Sequence, residues 1–191
     1  MGLDRIILKA FWTTLAAIGV LLLFVVGGLC VAFPSTSMEI AYDIGMESSC
    51  IHFAERAYKG SHDIYYIAYA TEVAIEEDKT SKIISCGEKF IKDENFEQHC
   101  ALKGENYRQF IYGQVCVSKY EKGDKNEAVE LAYTSLDGAF PEGNALVAVL
   151  FSSLRAEDQE TIDLIKTKLH TISVTDADNE YLQKTLAMVD D

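Results

Sequence analysis

The chain changes character at Pro34. Ahead of it, AFWTTLAAIGVLLLFVVGGLCVAF runs from Ala10 to Phe33 without a single charged side chain. As a helix rising about 1.5 Å per residue, such a run reaches ~36 Å, enough to cross a ~30 Å hydrocarbon core with some tilt. Behind Pro34 the apolar residues return every three or four positions, with charge and hydroxyl groups between them, which predicts a succession of amphipathic helices. The two prolines of the whole chain, Pro34 and Pro141, stand where helices should start or stop, so the helices between them should be uninterrupted. TSME at 36–39 has the form of a capping box, with Thr36 as cap and Glu39 three residues on. The segments NALVAVLFSSL, DQETIDLIKTKLH and DNEYLQKTLAMV predict three further amphipathic helices near the C-terminus.

A second, longer rhythm lies over the helical one. In YDIGMESSCIHFAERAY, Gly45 is followed by Cys50, Ala54 and Ala57 at offsets of 5, 9 and 12. Thirty-three residues later the same offsets fall on Asp78, Ile83, Gly87 and Phe90, and 45 residues after that on Gly123, Ala128, Ala132 and Ser135. The longer second step predicts an insertion, for which ENFEQHCALKGE, about residues 94–105, is the natural place. Helical hairpins that stack on their neighbours need compact side chains at the close crossings. They also need a turn residue such as Gly or Asp where the first helix hands over to the second.

A unit of about 34 residues with these small positions resembles the tetratricopeptide repeat. GDKNEAVELAYTSL (123–136) and GMESSCIHFAERAY (45–58) carry the likeness best, and Phe140-Pro141 stands where that family closes a repeat with proline. The family's tryptophan-leucine-glycine signature is replaced by Ile67, Ala70 and Thr71 in one copy and by Tyr112, Val115 and Cys116 in another. Together with the apolar run, read as an N-terminal transmembrane helix, the resemblance implies an all-α fold in which that helix is followed by a solenoid of antiparallel helix pairs. Its parts would be a tail (1–9), an anchor (10–33) and a repeat domain (36–191). It further implies a groove lined by the first helix of each pair, with Tyr65 and Glu72 on one unit, Tyr69 one turn after Tyr65, and Phe110, Tyr120 and Glu121 on the next. Aromatic side chains beside carboxylates suit a protein or peptide with apolar anchors and positive charge. Ala68, Glu72, Gly113 and Val117 stand where some family members clamp a C-terminal carboxylate with basic and amide groups, so that mode of binding is not expected. An irregular helical bundle is the alternative fold.

Charge refines the picture. The net charge is −13, and since the first nine residues contribute +1, the rest carries −14. Nucleic acid and anionic lipid headgroups would be repelled. Arg5 and Lys9 before the apolar run, against Glu39, Asp43 and Glu47 after it, place the N-terminus in the cytoplasm and the C-terminal domain outside a cell membrane. The alternative is a cleaved leader with Cys30-Val31-Ala32 as its small-x-small site, although its apolar region would be unusually long.

Chemistry is sparse. Cys50 and Cys116 fall on packing positions, whereas Cys86 and Cys100 bracket the insertion and are the candidates for a disulfide. No C-x-x-C, phosphate loop, nucleophile elbow or metal motif is present in the sequence, so no catalytic residue, metal or cofactor is expected. The reading is a membrane-anchored interaction or scaffold domain. Its rivals are an exported hydrolase using His52 with nearby carboxylates such as Glu55, and a fixed structural subunit of a membrane complex.

Overall fold

A computed structural model describes residues 3–190, and all regular structure among them is α-helix. The chain forms two compact units, divided between His62 and Asp63.

The first unit holds α1 (Leu3–Ala32), α2 (Pro34–Asp43) and α3 (Glu47–Ser61). Residues 1 and 2 of the expected tail lie outside the described residues, and the rest of that tail belongs to α1. Helix α1 contains one stretch, Phe11–Leu29, that is long and apolar enough to cross a membrane, with none of it buried against the protein. The break after it is set by Pro34, which has no amide hydrogen to donate and takes the first turn of α2. This corrects the expectation of a cap at Thr36: the helix is already under way there, and no side chain caps it. A proline at the first helical position is pre-set for φ, so it outcompetes a capping box two residues further on. Ser37 instead turns its hydroxyl back to the Phe33 carbonyl at 3.0 Å. Helix α3 packs on α2 through Cys50, Ile51, Ala54 and Ala57, all buried, against Met38 and Ala41 of α2.

The second unit runs through α4 (Ile64–Glu76), α5 (Thr80–Ile91), α6 (Phe96–Lys103), α7 (Tyr107–Lys122), α8 (Lys125–Thr134), α9 (Ala145–Arg155), α10 (Gln159–Ser173) and α11 (Glu180–Asp190). Three helices begin at side-chain caps, Asp63 for α4, Asn144 for α9 and Asp158 for α10. Asn144 is fully buried, accepting from the Val147 amide at 3.1 Å and donating to the Pro141 carbonyl at 2.7 Å. Short α6 occupies the expected insertion. Packing follows the chain: α4 on α5, α5 on α7, α7 on α8 and α9, and α10 on α8, α9 and α11. The core is built from Ile67, Phe90, Ile111, Val115, Leu150 and Leu169, each sealed from solvent.

Four helix pairs, α2/α3, α4/α5, α7/α8 and α9/α10, turn over in the same way. Gly45, Asp78, Gly123 and Glu157 take left-handed φ values of 70°, 50°, 102° and 52°. In each turn the left-handed residue donates its amide to the carbonyl three residues back (3.0–3.2 Å), and the next residue donates to the carbonyl five back (2.7–3.0 Å). This is the Schellman arrangement, which satisfies carbonyls that a helix end leaves open. The turn residues lie 33, 45 and 34 positions apart, so the fourth turn extends the spacing seen in the sequence.

Small positions are buried as their spacing predicts: Ala54, Ala132 and Ala128 are fully enclosed. Gly87 is the tightest. A Cβ placed there would lie 2.3 Å from Cγ2 of Val115, so α5 approaches α7 closer than any side chain permits. In α10 the same offset from the turn holds Lys166, and the small-residue rule lapses.

Candidate functional site

On α4, Tyr65, Tyr69 and Glu72 recur at spacings of four and three, which places them on one face. The Tyr65 and Tyr69 rings stack with centroids 6.0 Å apart and planes 25° from parallel. Glu72, one turn on, accepts a 2.6 Å bond from the Tyr107 hydroxyl and a 3.0 Å bond from Lys103 Nζ. Burial, reinforced by the hydrogen bond to Glu72, pushes the Tyr107 hydroxyl well above its ordinary pKa. The Tyr107 ring continues the row to Phe110, 6.5 Å away. A contiguous strip therefore runs Tyr65–Tyr69–Glu72–Tyr107–Phe110, crossing from α4 to α7. Its two ends are open, Tyr65 at 51% and Phe110 at 45% exposure.

The far end of α7 differs. Glu121 is exposed, but Tyr120 is only 7% exposed and donates its hydroxyl to Asp158 Oδ2 at 3.1 Å. Lys125 Nζ meets the same oxygen at 2.7 Å, and the Thr161 hydroxyl donates to it at 2.7 Å. These donors, Lys125 first, hold the Asp158 carboxyl down at about 2. Tyr120 thus ties α7 to the cap of α10, which makes it a packing residue with one edge near the surface.

Sequence reasoning missed Tyr107 and Lys103. Lys103 sits on the inserted α6 and meets Glu72 across 31 residues, a pairing that no periodicity encodes. Tyr107 was within reach, being one turn before Phe110 on the same face of α7.

Of the other candidates, His52 is exposed on α3, its ring 5.8 Å from Phe53. Cys86 and Cys100 are thiols, both buried, and so are Cys50 and Cys116. Burial pushes the Cys100 and Cys116 thiols up to about 12, which leaves them unreactive at neutral pH. His99 Nε2 is enclosed without a hydrogen-bond partner, beside the rings of Phe90 and Tyr107. Burial first, and then Lys103, depresses its pKa. Among the described residues no group of three or more His, Cys, Asp or Glu is placed to hold a metal ion.

Against known proteins, no family model, no curated protein and no solved structure matches this chain.

Proposed function

We propose that this chain is a single-pass membrane protein whose helical hairpins form a tetratricopeptide-like array that binds a protein or peptide, with its N-terminus in the cytoplasm and the array outside. The strip from Tyr65 to Phe110 carries the proposal. It sets two exposed aromatic ends on the first helices of two successive hairpins, where a stacked array offers its partner-facing surface. Repeated Schellman turns and packing between chain neighbours support the array. The open aromatics supply apolar anchors. Glu72 already serves Lys103 and Tyr107, so a basic partner would draw on exposed carboxylates such as Glu121, within a domain of strong net negative charge.

The test is capture from membranes in mild detergent, with a photo-cross-linking amino acid at position 65 or 110. A partner should cross-link at both positions. The double variant Tyr65→Ala/Phe110→Ala should lose it at least about ten-fold, with helical circular dichroism unchanged. Retention at full level by that variant would reject the strip as the binding surface.

A further inference from the structure

An apolar groove of about 560 Å³ opens in the first unit where α1, α2 and α3 meet. Its walls are Val26 and Leu29 of α1, Phe33 at the joint, Ile40 of α2 and Ile44 just past its end, and Phe53 of α3. A spacing of three on α1, continued four residues on by Phe33, and of four between Thr36 and Ile40 on α2, continued by Ile44, sets these residues on one stripe. Among the described residues of the first unit nothing covers the stripe, and Ile40 and Ile44 stand 56% and 63% exposed. Such a contiguous bare face is unusual on a water-facing surface and marks a place where another apolar body sits.

Two observations identify that body. Val26 and Leu29 belong to the stretch Phe11–Leu29, so the groove starts inside the segment suited to the hydrocarbon core and ends on the helix that follows it. Its polar lining is limited to three hydroxyls, Thr36, Ser37 and Ser49, and that of Ser37 is already given to the Phe33 carbonyl. A groove with no charge, opening at bilayer depth, is met by an acyl chain before any protein segment. The α2 carboxylates Glu39 and Asp43 are absent from the lining and lie about a quarter turn round the helix from it, so they disfavour an anionic headgroup.

We propose that this groove holds an acyl chain of a zwitterionic phospholipid and that α2 thereby lies in the membrane interface, a proposal that rests on α1 crossing the bilayer. The full chain is reconstituted into phosphatidylcholine vesicles containing phosphatidylcholine with a photoreactive diazirine on its acyl chain. Labelling should map to residues 33–53 as well as to α1, and should be lost from 33–53 in Ile44→Asp and in Thr36→Trp. Both positions are exposed, and unchanged helical circular dichroism is required of each variant. A parallel readout uses quenching by acyl-brominated phosphatidylcholine. The native Trp12 reports the span. In a Trp12→Phe background, Ile44→Trp should be quenched as Trp12 is, and Glu39→Trp much less. If Trp12 is quenched while positions 44 and 39 behave alike, the groove proposal is overturned and the anchor stands. An unquenched Trp12 overturns the anchor and the groove together. Labelling of 33–53 that survives both Ile44→Asp and Thr36→Trp also overturns the groove, as does its replacement by a cross-link to a second copy or to a co-purified protein.

Discussion

Gly87 shows how one missing side chain sets a helix crossing. With Val115 Cγ2 only 2.3 Å from where a Cβ would stand, Gly87→Ala must displace the Val115 side chain or move α5 away from α7. Overpacking of this kind costs about 1–3 kcal/mol. The loss should be visible as a lower urea midpoint with an unchanged slope, and Val115→Ala in the same chain should recover part of it. Asp158 makes a different prediction. Its folded pKa, about 2, lies below the ordinary 3.8, so its contribution to stability is complete above 3.8 and drains away as pH falls toward 2. Asp158→Asn should flatten that part of the acid-unfolding curve, measured by circular dichroism between pH 5 and pH 2. The buried Lys119 is held by Glu88 at 2.5 Å and Glu127 at 3.0 Å. Glu88 is depressed, chiefly by the Lys119 hydrogen bond, so its share is likewise full above its ordinary 4.5 and is lost as pH falls through its lower folded value. At the other end of the scale Lys119 is raised: burial opposes its charge, and the bonds to Glu88 and Glu127 outweigh that. Its share persists below 10.5 and is lost only as pH climbs through the still higher folded value.

Among the elements, the helix turns are the most informative. Left-handed backbone costs a residue with a Cβ about 1–2 kcal/mol, less for Asp, while glycine gives part of that back through its freer unfolded chain. Glu157→Gly should therefore raise thermal stability by about 0.5–1 kcal/mol, Asp78→Gly by less, and Gly123→Ala, at φ 102°, should lower it. Differential scanning calorimetry on the three variants checks the order. These turns also explain what could be read from the sequence. Gly45, Asp78 and Gly123 stand out because a left-handed turn restricts residue type, and the buried Ala54 and Ala132 because crossings restrict size. Glu157 escaped notice, since glutamate carries no turn signal and Lys166 breaks the small-residue pattern beyond it. Thr36 misled because a local capping rule lost to the stronger constraint of Pro34. Tyr120 looked like an exposed partner of Glu121, yet its hydroxyl finds Asp158 at a separation of 38 residues, which no window of sequence contains.

For the molecule as a whole, order along the chain is order in space within the second unit. Helix α11 closes the series by laying Leu182 and Leu186 on α10, with Lys166 bonded to the Val189 carbonyl and the Asp190 carboxylate. In such a series a defect should stay near where it is made. Removing residues 177–191 should therefore cut amide-exchange protection most in α9 and α10 and least in α4 and α5, read by mass spectrometry, and uniform loss would contradict this. The proximity of partners has a further consequence for biogenesis. Synthesis starts at the N-terminus, and at about 5–20 residues per second each helix of the second unit meets the neighbour it packs on within a few seconds of being made. The growing polypeptide need not wait for a distant C-terminal segment before shielding its apolar faces, so maturation can keep pace with synthesis and leave little sticky intermediate behind.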